Sequence, residues 1–227
     1  MGPTASPRVK ICCMQSVDEM LLAVRYGASA VGLVSAMPSG PGPIPDDRIA
    51  AIAARTPPGV STFLLTSEVR PEPIADQVRR LGPTTVQIVD RPEPGCRAAL
   101  RRLVPGTRIV QVVHVTGPEA VAEAVAADEA DAILLDSGNP ALAVKELGGT
   151  GRTHDWATSL RIREAVPVPL WLAGGLTPGN VARAIEQVRP FGVDVCSGVR
   201  TDGKLDEKKL AAFVAAVREA RGQIRGS

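Results

Sequence analysis

A (β/α)8 barrel is the fold class this sequence predicts, and three observations predict it. Short apolar, β-prone runs alternate with helix-patterned segments from residue 9 to the last helix. Eight such runs can be counted, and 227/8 gives about 28 residues per unit, which eight βα repeats consume. Glycines and polar residues gather where the runs end, the place where such a barrel keeps its chemistry. A doubly wound sheet is the alternative; it needs a reversal of strand order, and no GxGxxG follows a strand here.

The first run is Val9-Lys10-Ile11-Cys12-Cys13. Ser16-Val17-Asp18-Glu19 follows as a capping box, with Val17, Met20, Leu21 and Val24 at helical spacing and Gly27 as the stop. Ala30 to Val34 and Val60 to Leu65 are the next strands, and Ile74, Val78 and Leu81 mark a helix behind the second of them. Thr85 to Val89 and Arg108 to Val113 are strands separated by a helix around Ala98 to Leu103. Thr116-Gly117-Pro118-Glu119 reads as a second capping box with proline in the first turn. Ala132 to Leu135 and Pro169 to Leu172 are strands six and seven. A helix started by Thr177-Pro178 carries Val181, Ala184, Ile185 and Val188 on one face. Val193 to Cys196 is the eighth strand, and Leu210, Phe213, Val214 and Val217 line the final helix. One domain over 9–221 is expected, with flexible termini at 1–8 and 222–227.

Composition narrows the function classes. With 44% hydrophobic residues the chain has ample core, and disorder is excluded. A net charge of 26 − 24 = +2 and only six aromatic residues (three Phe, two Trp, one Tyr) offer neither a basic face nor a base-stacking surface, so no nucleic-acid partner is expected. The absence of any 18-residue apolar run argues against a membrane partner. None of the four cysteines forms a C-x-x-C pair, which points to reduced thiols and the cytoplasm. His114 and His154 have no acidic or cysteine partner at ligand spacing, so no metal is expected and both read as structural. Cys13, Cys96 and Cys196 read as packing residues, Trp171 as core or helix-facing, and Arg97, Arg101 and Arg102 as a solvated helix face.

Four strand ends carry the candidate chemistry. Period-two alternation puts Lys10 and Cys12 on one face of strand one, where a lone cysteine could equally be a small buried hydrophobe. Strand six delivers Asp136 directly after a buried run. The loop beyond it contains Gly148-Gly149-Thr150-Gly151 and then Arg152-Thr153-His154-Asp155-Trp156. Strand seven ends Leu172-Ala173-Gly174-Gly175-Leu176, and strand eight ends Val195-Cys196-Ser197-Gly198. Glycine loops after strands seven and eight expose backbone N–H groups and suit a phosphate.

These residues resemble the phosphoribosylanthranilate isomerases of tryptophan biosynthesis. Lys10-Ile11-Cys12, Leu134-Leu135-Asp136, the 148–151 loop with Asp155-Trp156, Leu172 to Leu176 and Val193 to Val199 are similar to that family's segments, in order and over nearly the whole chain. The resemblance implies an Amadori isomerisation of N-(5-phosphoribosyl)anthranilate without metal or organic cofactor. It implies Asp136 as general acid at the furanose ring oxygen and Cys12 as general base at the adjacent sugar carbon. Lys10, Gly149, Thr150, Gly151, Gly174, Gly175, Ser197 and Gly198 would bind the phosphorylated substrate, in a monomer or homodimer. An acid of ordinary pKa about 3.9 must then be held protonated near neutrality, at a cost of roughly 4 kcal/mol, while Lys10 favours the thiolate of Cys12.

The chain also departs from the family's pattern. Cys13 stands where glycine is usual, the 37–45 loop carries no arginine, and Val89 fills the place of a histidine near Gln87. Arg200 stands where an acid is usual, and Leu205 precedes Asp206 where lysine is expected. These differences motivate two alternatives: a paralogous isomerase acting on another phosphosugar or aminosugar phosphate, and a non-catalytic phosphometabolite-binding barrel.

Overall fold

The computed structural model describes residues 7–38, 40–138, 151 and 153–224; Gly149, Thr150 and the extreme termini lie outside them. Eight parallel strands pair in sequence order and close on themselves. They are β1 (Arg8–Ile11), β2 (Ala30–Val34), β3 (Ser61–Thr66), β4 (Thr85–Ile88), β5 (Arg108–His114), β6 (Ala132–Asp136), β7 (Leu170–Leu172) and β8 (Gly192–Val195). Helices α1 (Val17–Arg25), α2 (Asp46–Arg55), α3 (Pro71–Leu81), α4 (Cys96–Leu103), α5 (Ala120–Val125), α6 (Trp156–Ala165), α7 (Val181–Val188) and α8 (Glu207–Ile224) alternate with them. The predicted (β/α)8 barrel is the observed fold.

Period-two alternation divides each strand between two cores. Ile11, Val31, Leu33, Leu64 and Leu135 face the helices, where Phe213, Val217, Ile185 and Val188 meet them. Ala30, Phe63, Leu65, Val110, Leu134 and Trp171 fill the barrel itself. Each fully buried aliphatic side chain is worth roughly 1.5–3 kcal/mol. The two predicted faces on α7 and α8 are buried as expected. At the N-terminal end of the barrel Trp171 meets Phe63 and Phe191 edge-on, with ring centroids 5.6 Å apart in both pairs. Trp171 therefore packs inside the barrel and not against a helix. Gly192 makes room for it, since a Cβ there would lie 2.5 Å from the indole.

Several local expectations change. Ser16 does cap α1, accepting from the Glu19 N–H, but the Glu19 carboxylate goes to Gln15 N–H, Leu205 N–H and Arg200 instead of returning to Ser16. Leu21 is exposed; Met20 and Ala23 form the buried stripe of α1. The second capping box does not form, because the Thr116 hydroxyl donates to Glu119 itself and α5 begins only at Ala120. Thr177 and Pro178 lie in a turn ahead of α7, closed by Asn180, whose side chain accepts from Thr177 N–H and donates to Gly175 O. Arg97 and Arg101 are no solvated face: they tie α4 to Asp128, Gln111 and Asp131 around the α5–β6 connection. After β8 come a 3-10 turn at Ser197–Val199 and a short antiparallel ribbon, β9 (Arg200–Thr201) with β10 (Lys204–Leu205). Asp206 then caps α8 through Lys208 N–H and Lys209 N–H.

Candidate active site

The C-terminal ends of the strands surround a cavity. Cys12, Asp136, Gly151, Gly174, Gly175 and Ser197 all line it, so the barrel brings most of the sequence-predicted site to one place. Gly198 sits in the 3-10 turn that forms its rim. Lys10 is the exception. It lies fully buried within the barrel and does not line the cavity.

Lys10 sits where it does because β1 pairs with β8 in the register Lys10↔Asp194. The two side chains point into the barrel and form an ion pair of 2.6 Å, with Lys10 Nζ also 3.6 Å from Cys12 Sγ. Burial opposes the charge on Lys10, but Asp194 and Cys12 outweigh it and hold the ammonium above its ordinary range. Burial pushes the Asp194 carboxyl upward and Lys10 opposes that; at 2.6 Å the pair is ionic. Sequence parity found Lys10 beside Cys12 but missed Asp194. The available signal was a carboxylate between Val193 and Val195, since a lysine buried in a barrel demands an anion.

Cys12 follows β1 and is held by its own N–H donating to Val195 O at 2.8 Å. Its sulfur rests against Gly32, where a Cβ would come within 2.5 Å. The Cys13 thiol and then the Lys10 ammonium lower the Cys12 pKa against the opposing effect of burial, whereas Cys13 is pushed up. Asp136 ends β6, half-buried, with Oδ1 accepting from Ser137 N–H at 2.7 Å. Burial raises its pKa, against the Ser137 amide and His114. One thiol is thus moved toward a base and one carboxyl toward an acid in a single cavity.

Opposite them, Gly174 (φ 81) and Gly175 (φ 61) take left-handed backbone that other residues resist. Gly174, Gly175 and Ser197 line the cavity with Gly198 beside them, so the two glycine-bearing strand ends make a backbone cradle on this side of it. Gly198 packs directly on the β7 loop, and a Cβ there would lie 2.0 Å from Leu176 O. Gly198→Ala is therefore expected to push the 3-10 turn off that loop and raise KM at least tenfold, measured by steady-state kinetics.

The apolar side of the cavity comes from Val34, Met37, Gly40, Pro41 and Leu65, with the buried Oε1 of Gln87 unpartnered beneath it. None of the described residues lining the cavity is an arginine or a lysine. Arg48, the nearest cation to the 37–45 loop in sequence, is exposed on α2. His114 is held by Val89 O at 2.9 Å, at the position where the family's histidine is replaced.

His154 lies next to the cradle, its Nε2 2.8 Å from Ser159 Oγ. Because Ser159 Oγ donates to Asp155 O, Nε2 carries the proton and Nδ1 faces Gly174 bare. Burial lowers its pKa to about 4. The unfolded chain binds this proton near pH 6.5 and the folded one only near 4, so its contribution is constant above about 6.5 and stability is lost as pH falls through that window. The loss reaches roughly 3 kcal/mol at its acid end. Thermal melts between pH 7.5 and 4.5 are expected to show a smaller drop for His154→Gln than for the parent.

A (β/α)8 barrel that gathers a thiol, a carboxyl and a glycine-bearing backbone cradle at the C-terminal ends of its strands has the layout of a barrel enzyme. The family profile described as N-(5'phosphoribosyl)anthranilate (PRA) isomerase matches residues 9–216. The enzyme of that name from Methanocella arvoryzae is 37% identical over 213 residues, covering 93% of this chain and 98% of the relative. The crystal structure of phosphoribosyl anthranilate isomerase from Thermotoga maritima superposes with a TM-score of 0.79 at 32% identity, covering 94% of this chain and 99% of that one. A phosphoribosyl anthranilate isomerase in complex with reduced 1-(o-carboxyphenylamino)-1-deoxyribulose 5-phosphate gives a TM-score of 0.76 at 31% identity, with the same coverage. The chain belongs to the N-(5'-phosphoribosyl)anthranilate isomerase family.

Proposed function

We propose that the chain converts N-(5-phosphoribosyl)anthranilate to 1-(2-carboxyphenylamino)-1-deoxyribulose 5-phosphate in tryptophan biosynthesis, as a single cytoplasmic barrel over residues 9–221. The observation that carries this reading is the shared cavity of Cys12 and Asp136, with their pKa values moved in opposite directions opposite the amide cradle. Gly174, Gly175, Ser197 and Gly198 hold the phosphate, and Gly149, Thr150 and Gly151 also belong to the substrate-binding set. Asp136 gives its proton to the furanose oxygen as the bond from C1 to that oxygen breaks, leaving an iminium. Cys12, as thiolate, takes the proton from C2, and its electron pair forms the C1–C2 enamine that tautomerises to the ketose. Proton transfers account for every bond change, so neither metal nor organic cofactor is needed. Lys10 acts from beneath by favouring the thiolate.

The test is turnover of the anthranilate substrate by purified protein, followed by loss of substrate fluorescence, together with complementation of a tryptophan auxotroph. Failure of both would sink the assignment. A second reading, an isomerase for an aminosugar phosphate without a carboxylate, draws on the cavity's lack of lysine or arginine among the described residues. Losing such a partner removes about 1.5–3 kcal/mol of carboxylate binding. If the N-phenyl analogue lacking the carboxylate has the higher kcat/KM, this reading replaces the first.

A further inference from the structure

Arg200 is a buried cation at the mouth of the barrel that neither transfers a proton nor binds substrate in the steps proposed above. Its side chain is 8% exposed. One guanidinium nitrogen donates to Glu19 Oε2 at 2.8 Å and to the carbonyl of Cys13; the other donates to Glu19 Oε1 at 3.2 Å and Gly203 O at 2.7 Å. Burial opposes the Arg200 charge, and Glu19 more than offsets it. Glu19 is pinned in turn, accepting from Gln15 N–H and Leu205 N–H, both at 3.0 Å.

What this cluster grips is the residue after the thiol. Cys13 has φ 63, left-handed backbone that a side chain other than glycine, asparagine or aspartate seldom adopts. Its Cβ packs on Gly42, where another Cβ would lie 2.6 Å away, and its thiol is 3.7 Å from Pro41 O. The peptide from Cys13 to Met14 is fixed at both ends, with Met14 N–H donating to Gly32 O at 3.0 Å and Arg200 taking the Cys13 carbonyl. Gly32 is also the surface on which Cys12 Sγ rests.

We propose that Arg200 is a positioning residue for the isomerisation: with Glu19 it locks the Cys13–Met14 peptide in its strained form and so fixes where Cys12 Sγ points in the cavity. The proposal rests on Cys12 being the base, so its test includes a readout that needs no substrate. In the full-length protein, Arg200→Met lowers kcat about tenfold with KM within twofold. It also slows alkylation of Cys12 by iodoacetamide, mapped by peptide mass spectrometry, to a similar degree. Cys13→Gly removes the need for the lock, so Arg200→Met made in that variant costs less than threefold on either readout, relative to Cys13→Gly alone. Equal losses in the two backgrounds overturn the proposal, as does a change confined to KM, or unchanged kcat and alkylation in a folded Arg200→Met protein. If Arg200→Met does not fold, Arg200→Lys, which keeps the charge but not the fork, carries the same comparison. Alkylation still reads the lock if the anthranilate substrate proves not to be turned over.

Discussion

Replacing Asp136 by asparagine is expected to lower kcat by about 10³–10⁴-fold while KM moves less than threefold. The amide keeps the volume of the side chain and its contact with Ser137 N–H, so the cavity and the fold survive. Only the transferable proton is lost. Cys12→Ala is the matching experiment on the base and is expected to cost about 10²–10³-fold. In the parent enzyme, turnover rises with pH as Cys12 yields its proton and falls as Asp136 loses its own. Burial holds Asp136 above its ordinary range, while Cys13 and Lys10 hold Cys12 below its own, so kcat/KM is bell-shaped. Steady-state kinetics across pH 5–9 check this, and an Asp136→Asn variant with parental kcat would remove the carboxyl from the mechanism.

Lys10→Met is expected to be the most damaging single change to stability. It strands the Asp194 carboxylate inside the barrel, and breaking a buried pair from one side costs about 3–5 kcal/mol. For a chain of this size that is a fall in Tm of roughly 6–20 °C. Removing both charges together, as Lys10→Met with Asp194→Leu, is expected to recover most of the loss, because no uncompensated ion remains. Calorimetry of the two variants separates these outcomes; equal Tm values would mean that the pair is no ionic unit. Any recovered protein should still show the Cys12 thiolate forming at higher pH, since the neighbouring ammonium is gone.

Much of this was legible before any coordinates. Eight β-prone runs at even spacing set the barrel, and strand parity put Lys10 beside Cys12 because side chains alternate without exception along an extended chain. The strand ends also marked Asp136 and the glycine cradle, since this fold places its open face there. What escaped was decided by contacts distant in sequence. Glu19 looked like half of a capping box, and its carboxylate was claimed by Arg200, 181 residues away. Asp194 falls inside the Val193 to Val199 segment, yet only the β1–β8 register shows it facing Lys10. Arg97 and Arg101 looked solvated because helix patterning says nothing about the loop of the next unit. Cys13 is intermediate: its unusual place was visible, while its left-handed backbone and its grip by Arg200 required the structure.

The Lys10–Asp194 pair joins the first strand to the last, 184 residues apart, and this bears on how the molecule is made. The ribosome adds the lysine long before the aspartate, which follows 184 residues later. Until β8 arrives, a partly built barrel holds an ammonium it cannot enclose without a counter-charge, so water must remain inside the sheet. The thiol beside that lysine stays solvated for the same period, with an ordinary pKa and little nucleophilic character. Ring closure therefore both dries the interior and arms the sulfur, and a chain cut short before its eighth strand has neither.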